Sequence, residues 1–209
     1  GTRLLEIGSG WGELAIRAAR RGATVRTVTL SVEQKDLAER RIAAAGMSDL
    51  VSVELCDYRH VGDAGEQYDA IVSVEMIEAV GWKHFGTFFA KCSELLAPGG
   101  RMLLQAITID DRAYAVEKAS KSFIRTAIFP NGCLPSQQII ADRLARHTDL
   151  RMLHHEDLTA HYVTTLQRWR ENIETHADRL TDLGYDERFQ RLWRLYLSYS
   201  EAGFAERRI

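Results

Sequence analysis

Leu4-Leu5-Glu6-Ile7-Gly8-Ser9-Gly10-Trp11-Gly12, running on into Glu13-Leu14-Ala15-Ile16-Arg17-Ala18-Ala19, decides the fold. An apolar run ends in a glycine-rich turn, and the turn opens a helical pattern. That order is the context in which a loop cradles a nucleotide-like ligand, because glycines permit a tight turn and close approach of a ligand to the backbone. The spacing is G-x-G-x-G, with Glu6 two residues before the first glycine. A dinucleotide site usually reads G-x-G-x-x-G. The spacing here is the one expected around S-adenosylmethionine (SAM), with Gly8, Gly10 and Gly12 shaping the loop and the Glu6 carboxylate holding the cationic amino-acid end. The plainer alternative is a left-handed turn of the kind found in any α/β protein.

Outward from this turn, strand and helix patterns alternate, which argues for an α/β, Rossmann-like fold with a mostly parallel sheet. Strands are expected at 3–7, 24–29, 51–56, 69–74 and 101–107, and a sixth at 150–154. Arg20-Arg21-Gly22 closes the first helix. Ser31-Val32-Glu33-Gln34 opens the second as a capping box, and that helix runs to Gly46. One long helix is expected after the fourth strand, up to the breaker Pro98-Gly99-Gly100. Beyond Ile107 the character changes: a polar helical stretch over 110–122, an apolar stretch over 123–129, a helix from Ser136 to about His147, and two closing helices with aromatic stripes. The expectation is a single domain over 1–209, with 1–109 the SAM-binding core and 110–209 a helical, substrate-side region.

The 209 residues suffice for one sizeable core. A net charge of -2 provides no global field for nucleic acid, and no apolar run is long enough to span a bilayer. Cys56, Cys92 and Cys133 are widely spaced with no C-x-x-C, which argues against zinc and a disulfide framework and suits a reducing, cytoplasmic setting. His154-His155-Glu156 is a poor metal set, since neighbours on a strand point to opposite faces. The first residue already belongs to the opening strand, so a fragment lacking an N-terminal segment is expected.

In an open α/β sheet, ligands bind beyond the carboxyl ends of the strands. Where an acidic residue often holds the ribose, this chain has Thr29-Leu30-Ser31, with Gln34 a turn on. Gln34 serves either the ribose or the capping box. Asp57 is a candidate acceptor for an adenine amino group, and Tyr58 a stacking partner, against the alternatives of a loop Asp and a core Tyr. Glu75 and Glu78 stand in an otherwise apolar stretch, three apart on a new helix, and so share a face.

Six stretches carry a resemblance: LLEIGSGWGELAIRAA (4–19), VTLSVEQ (28–34), YDAIVSVEMIEAVG (68–81), LLAPGGRMLLQAIT (95–108), IFPNGCLPS (128–136) and HYVTTLQRW (161–169). The chain resembles the cyclopropane-fatty-acyl-phospholipid synthase family, which includes mycolic acid cyclopropane synthases and fatty acid C-methyltransferases. The resemblance implies SAM-dependent carbon transfer to the double bond of an unsaturated acyl chain, presented on a phospholipid or a carrier, with peripheral contact at the inner membrane face. It also implies a bound bicarbonate as base. By matched position Glu78 orients it, Tyr162 hydrogen-bonds it and the Ile107 backbone faces it. Trp11, Trp82, Phe85, Phe88 and the 123–129 stretch offer apolar surface, with core packing as the alternative.

Three departures stand out. Gln105 replaces the His of the family's L-L-H-T-I; a neutral amide donates to an anion but neither carries charge nor shuttles protons, which puts ring closure in question and leaves a cyclopropane and a methyl or methylene branch both open as products. The family's N-terminal region is absent, and so is the strand after its final helix, so an exposed sheet edge is expected. A methyltransferase acting on a small polar molecule, and a binding protein without chemistry, are the competing readings.

Overall fold

A computed structural model describes residues 1–62 and 65–209. The elements run β1 (Arg3–Ile7), α1 (Glu13–Ala19), β2 (Thr24–Thr29), α2 (Val32–Ala44), β3 (Val51–Leu55), β4 (Tyr68–Val74), α3 (Ile77–Val80), α4 (Phe85–Leu95), β5 (Leu96–Gln105), α5 (Tyr114–Ala119), α6 (Gln137–His147), α7 (Thr159–Thr175), α8 (Ala177–Asp182) and α9 (Glu187–Ala205). A short 3-10 turn follows β3 at Tyr58–His60, and a π-type turn covers Ile124–Ile128. The chain divides into two compact units, Gly1–Ile107 with Gln138–Arg151, and Thr108–Gln137 with Met152–Ile209.

The first unit is built on a parallel sheet in the order β3-β2-β1-β4-β5. The order reverses between β1 and β4, and at such a switch point the two outgoing connections leave toward opposite faces and open a crevice at the carboxyl ends. Burial on both faces explains the near-continuous apolar runs: Leu5, Ile7, Val25, Val28 and Ile71 are all buried. One flank is closed by Ala15, Ile16 and Ala19 of α1 with Ala38 and Ile42 of α2. On α4, Phe85, Phe88, Phe89, Cys92 and Leu95 recur at helical spacing and are buried. Each such large side chain contributes about 1.5–3 kcal/mol. Phe85 and Phe88 are therefore core, and of the expected apolar surface only Trp11, Trp82 and Phe129 are substantially exposed.

Three local expectations need correcting. The helix after β4 is two helices, because Gly81 adopts φ 81, ψ 143, which helical geometry forbids, and separates α3 from α4. β5 begins at Leu96 rather than at residue 101; its ladder jumps from Tyr68↔Leu96 to Ala70↔Arg101, so Pro98-Gly99-Gly100 forms an irregularity inside the strand. Residues 150–154 form no strand. They pair with none of the described strands, and Met152 and Leu153 point largely into solvent, so neither ladder nor burial supports an extended ribbon. His154, His155 and Glu156 lie in the same irregular stretch. Among the described residues β5 lies at one edge of the sheet, and its Leu103 is exposed.

The second unit is helical. Aromatic contacts tie it together: Tyr162 of α7 stacks on Phe204 of α9 at 4.7 Å, and Phe129 meets Tyr196 edge-on at 5.8 Å. Asp186 caps α9 by accepting from the Phe189 amide at 2.7 Å. Buried Gln190 donates to Ala177 O, Thr181 Oγ1 and Tyr185 O, which joins α8 to α9. The helical pattern expected to run unbroken from Tyr162 to Leu180 is interrupted at His176. The polar stretch 110–122 yields only the short α5.

Candidate active site

Two rims meet at the switch point. The β1–β2 rim carries the glycine loop. Gly8, Gly10 and Gly12 have φ of 97°, 47° and 81°, a region that side chains disfavour. A Cβ on Gly12 would stand 3.0 Å from the Ala38 Cβ, so this glycine lets α2 pack against the start of α1. A Cβ on Gly8 would stand 3.3 Å from Met76. At Gly10 a Cβ would meet nothing within 4 Å, so the loop presents bare backbone to open space. The turn is fixed from below: the Gly8 and Ser9 amides donate to Val28 O, Thr27 Oγ1 donates to Ser9 Oγ at 2.8 Å, and Ser73 Oγ donates to Ile7 O at 3.0 Å. Thr27 and Ser73 are fully buried polar residues; Ser73 stands out in the apolar run Ala70-Ile71-Val72-Ser73-Val74, whereas Thr27 has no such signal in the polar pattern of β2.

Glu6 is 4% exposed, and its Oε2 is buried with no hydrogen-bond partner. Burial pushes its carboxyl up to about 7, with the Thr27 hydroxyl pulling the other way. Such an unsatisfied group costs about 1–3 kcal/mol and has a use when a donor arrives. An open glycine cradle beside a buried carboxylate seeking a cationic or N–H partner fits the amino-acid end of SAM.

Thr29, Ser31 and Gln34 are knitted together. Ser31 Oγ accepts from the Gln34 amide at 3.1 Å, which is one half of the capping box. The Gln34 side chain does not return to Ser31. Thr29 Oγ1 stands between them, accepting from the Ser31 amide and donating to Gln34 Oε1 at 2.7 Å. Asp57 is held by Arg59, which donates its amide and Nε to Oδ1 and Nη2 to Oδ2 at 2.6 Å. That pairing brings the Asp57 carboxyl down to about 2. The Tyr58 ring lies edge-on to Phe88 at 5.5 Å.

The β4–β5 rim carries Glu75, Glu78, Gln105 and Ile107. Glu75 precedes α3 rather than sharing its face with Glu78, because it takes φ 50° at the end of β4. Its amide donates to Gln105 O at 2.8 Å, and Gln105 Nε2 donates to Glu75 Oε1 at 2.8 Å. Glu78 Oε1 accepts from the Ile107 amide at 2.6 Å, while Glu78 Oε2 is buried without a partner. Burial pushes the Glu78 carboxyl up to about 7; hydrogen bonds from its own and the Ile107 backbone oppose this, and the Glu75 charge adds to it. Burial likewise raises the Glu75 carboxyl, against the hydrogen bond from Gln105. Tyr162 belongs to the second unit, on α7 against Phe204.

A five-stranded parallel sheet in this order, a glycine loop with a buried glutamate before it and acidic side chains on the neighbouring strand end define the class of SAM-dependent methyltransferases. A family model, mycolic acid cyclopropane synthetase, matches residues 1–209, and the chain belongs to that family. It is 50% identical over 204 residues to the tuberculostearic acid methyltransferase UfaA1 of Mycobacterium tuberculosis, covering 98% of this chain and 47% of that protein. It is 38% identical over 210 residues to the cyclopropane-fatty-acyl-phospholipid synthase of Escherichia coli K12, covering 100% of this chain and 51% of that one. The chain thus spans about half the length of these relatives. The mycolic acid cyclopropane synthase CmaA1, solved with S-adenosylhomocysteine (SAH) and CTAB, superposes with a TM-score of 0.88 at 26% identity, over 98% of this chain and 74% of that one. Among the described residues no helix is long and apolar enough to cross a membrane.

Proposed function

We propose that the protein transfers the SAM methyl carbon to the double bond of an unsaturated fatty acyl chain and leaves a methylene branch, whose conversion to a methyl branch requires a separate reductase. The observation that carries this reading is the set of carboxyls at the strand ends, Glu6 on one rim and Glu75 and Glu78 on the other, beside an open glycine loop. SAM supplies an electrophilic methyl group on a sulfonium. Toward it Glu6 offers an anion, and the loop around Gly10 offers backbone at close range. An alkene is a weak nucleophile, so positioning and exclusion of water have to supply much of the rate. Methyl transfer leaves a cation on the acyl chain, and a proton must then be removed. Glu78, fixed by the Ile107 amide, is the group assigned to orient the base for that step, and Gln105, tied to Glu75, is a neutral donor on the same rim. Similarity to a tuberculostearic acid methyltransferase supports an acyl acceptor, and the neutral Gln105 amide supports a branch over a ring. The acyl chain reaches the enzyme in the cytoplasm, on a phospholipid through peripheral membrane contact or on a carrier.

The test is incubation of the full-length protein with SAM and vesicles of a monounsaturated phospholipid, then release of the fatty acids and fragmentation mass spectrometry. The expected result is one added carbon as a branch at the former double bond. Ring fragments would establish the cyclopropane reading, which similarity to the E. coli enzyme keeps in play. No added carbon, with SAH bound by calorimetry, would overturn an acyl acceptor.

A further inference from the structure

We infer that the buried hydroxyls of Thr27 and Ser9 form a reversible hydrogen-bond relay beneath the glycine loop, and that seating the amino end of SAM on Glu6 turns this relay by expelling one proton; the inference rests on the function proposed above. The ladder sets Glu6 beside Thr27 on β2 and Val72 on β4. Continued outward, the same row holds Val53 on β3 and Leu103 on β5. Residues of one row share a face of the sheet, so Glu6 is the single ionisable member of its row. Thr27 is the other polar member, and it is fully buried. Its hydroxyl meets Ser9 Oγ at 2.8 Å and also hydrogen-bonds the Glu6 carboxyl. Ser9 is itself buried, between Gly8 and Gly10 of the loop. The three side chains run unbroken from the carboxyl to the loop.

A hydroxyl owns one hydrogen, so Thr27 donates to one neighbour at a time. With Glu6 protonated, the carboxyl donates to Thr27 and Thr27 donates to Ser9. With Glu6 ionised, Thr27 donates to the carboxylate and Ser9 donates to Thr27. An ammonium has three donors and no acceptor, so it favours the second state, in which the buried and unpartnered Glu6 Oε2 is an anionic acceptor. A ligand that prefers one of two states shifts the population toward it. The step balances: the Glu6 O–H bond breaks, its proton leaves to solvent, and an ammonium N–H donates to the carboxylate in its place. Thr27 and Ser9 act as positioning residues, holding the carboxylate and the loop in one register.

The surroundings of Glu6 keep a proton on it until a cation arrives. On this face α1 and α2 pack Ala15, Ile16, Ala19, Ala38 and Ile42 against the sheet. The charged side chains of these helices are engaged elsewhere, Glu13 with Arg17 and Arg41, and Lys35 with Glu39. Glu33, Asp36 and Arg40 of α2 are exposed, and so is Arg101, two rows away on β5. Arg26 and Glu54 lie on the opposite face and pair with each other. On the other rim the Glu75 charge acts on Glu78. Among the described residues no cation compensates Glu6, so burial pushes its carboxyl up to about 7, and the Thr27 hydrogen bond opposes the rise.

The test is calorimetric titration of SAH, which carries the same amino end, into the full-length protein at about pH 6 in phosphate and in imidazole buffer. The two buffers differ in heat of ionisation, so the difference in binding heat counts the protons exchanged. At that pH the ligand amine is already charged, and the count belongs to the protein. The expected result is close to one proton released, with SAH affinity rising about tenfold from about pH 5.5 to about pH 7. In Glu6→Gln both the release and the pH dependence should vanish. Thr27→Val keeps the shape and removes the hydroxyl, so the ionised carboxyl loses its donor. SAH binding at about pH 7 should weaken about fivefold and the proton count there should rise toward one, and Thr27→Ser should restore both. If Thr27→Val fails to fold, Thr27→Cys, with its weaker donor, should change both readings in the same direction. SAH bound by the wild type with no proton released, an undiminished count in Glu6→Gln, or a Thr27 variant equal to wild type in both readings overturns the inference and leaves the proposed function standing. No heat of SAH binding at any pH would overturn the reading of SAM as the donor, and the inference with it.

Discussion

The two rims of the sheet share one edge of the molecule and differ in what they leave unsatisfied. On the β1–β2 side almost every polar group pairs with a neighbour, as in the Thr29–Gln34 and Thr27–Ser9 bonds, and glycine carries the positive φ angles at no steric cost. At the strand end the Glu6 Oε2 is buried without a partner. On the β4–β5 side the positive φ belongs to a glutamate, two carboxyls stand together, and the Glu78 oxygen is left buried. The first rim is a relaxed cradle; the second stores strain and charge. The difference teaches that holding a ligand and moving a proton call for opposite local chemistry, and the proposed function divides the two tasks between the rims in that sense.

The largest expected effect tests the second rim. Glu78→Gln should lower kcat by about 10³ with SAH affinity little changed by calorimetry, because Glu78 Oε1 accepts from the Ile107 amide of the β4–β5 rim. A parallel loss of affinity would merge the rims. Next comes Gly12→Ala on the first rim. Its Cβ would crowd Ala38 at 3.0 Å and hold φ 81° against preference. The expected result is a loss of about 2–3 kcal/mol in denaturant unfolding together with weaker SAH binding.

A pH experiment follows. The folded Glu6 carboxyl titrates near 7 against an ordinary value of 4.5. The folded state therefore keeps a proton that the unfolded chain releases. Its contribution is full below the ordinary value and is lost as pH rises through about 7. In Glu6→Gln the fall in stability between about pH 5 and about pH 8 should shrink by about 2 kcal/mol. An unchanged slope in urea titrations would remove burial as the cause. The smallest effect belongs to Gln34→Ala, which leaves the Ser31 cap in place and removes only the bond to Thr29. SAH affinity should fall by about tenfold or less with kcat unaltered; a fall in kcat would place Gln34 on the chemical side.

Legibility in the sequence follows the same division. β1 and β2 were readable to the residue, because an apolar run ending at a glycine or capping turn carries its own boundaries. The glycine loop and the Ser31 cap were readable for the same reason, since their chemistry is local. The bend at Gly81 was hidden, because a lone glycine is tolerated in many helices and only its φ 81°, ψ 143° shows the break. The left-handed Glu75 was hidden more deeply: nothing in Val74-Glu75-Met76 announces a positive φ, and what enforces it is Gln105, thirty residues away in sequence. The stretch 150–154 misled by composition. Its apolar residues suggested a strand, but a strand exists only with a partner to complete its ladder.

The most direct test is transfer from SAM carrying a trideuterated methyl group to a monounsaturated phospholipid, read as the deuterium content of the released fatty acid. The account predicts that the acyl chain gains the labelled carbon with two of its three deuterons, the third having left to a base on the β4–β5 rim. Retention of all three deuterons, or label that never reaches the acyl chain, would contradict it.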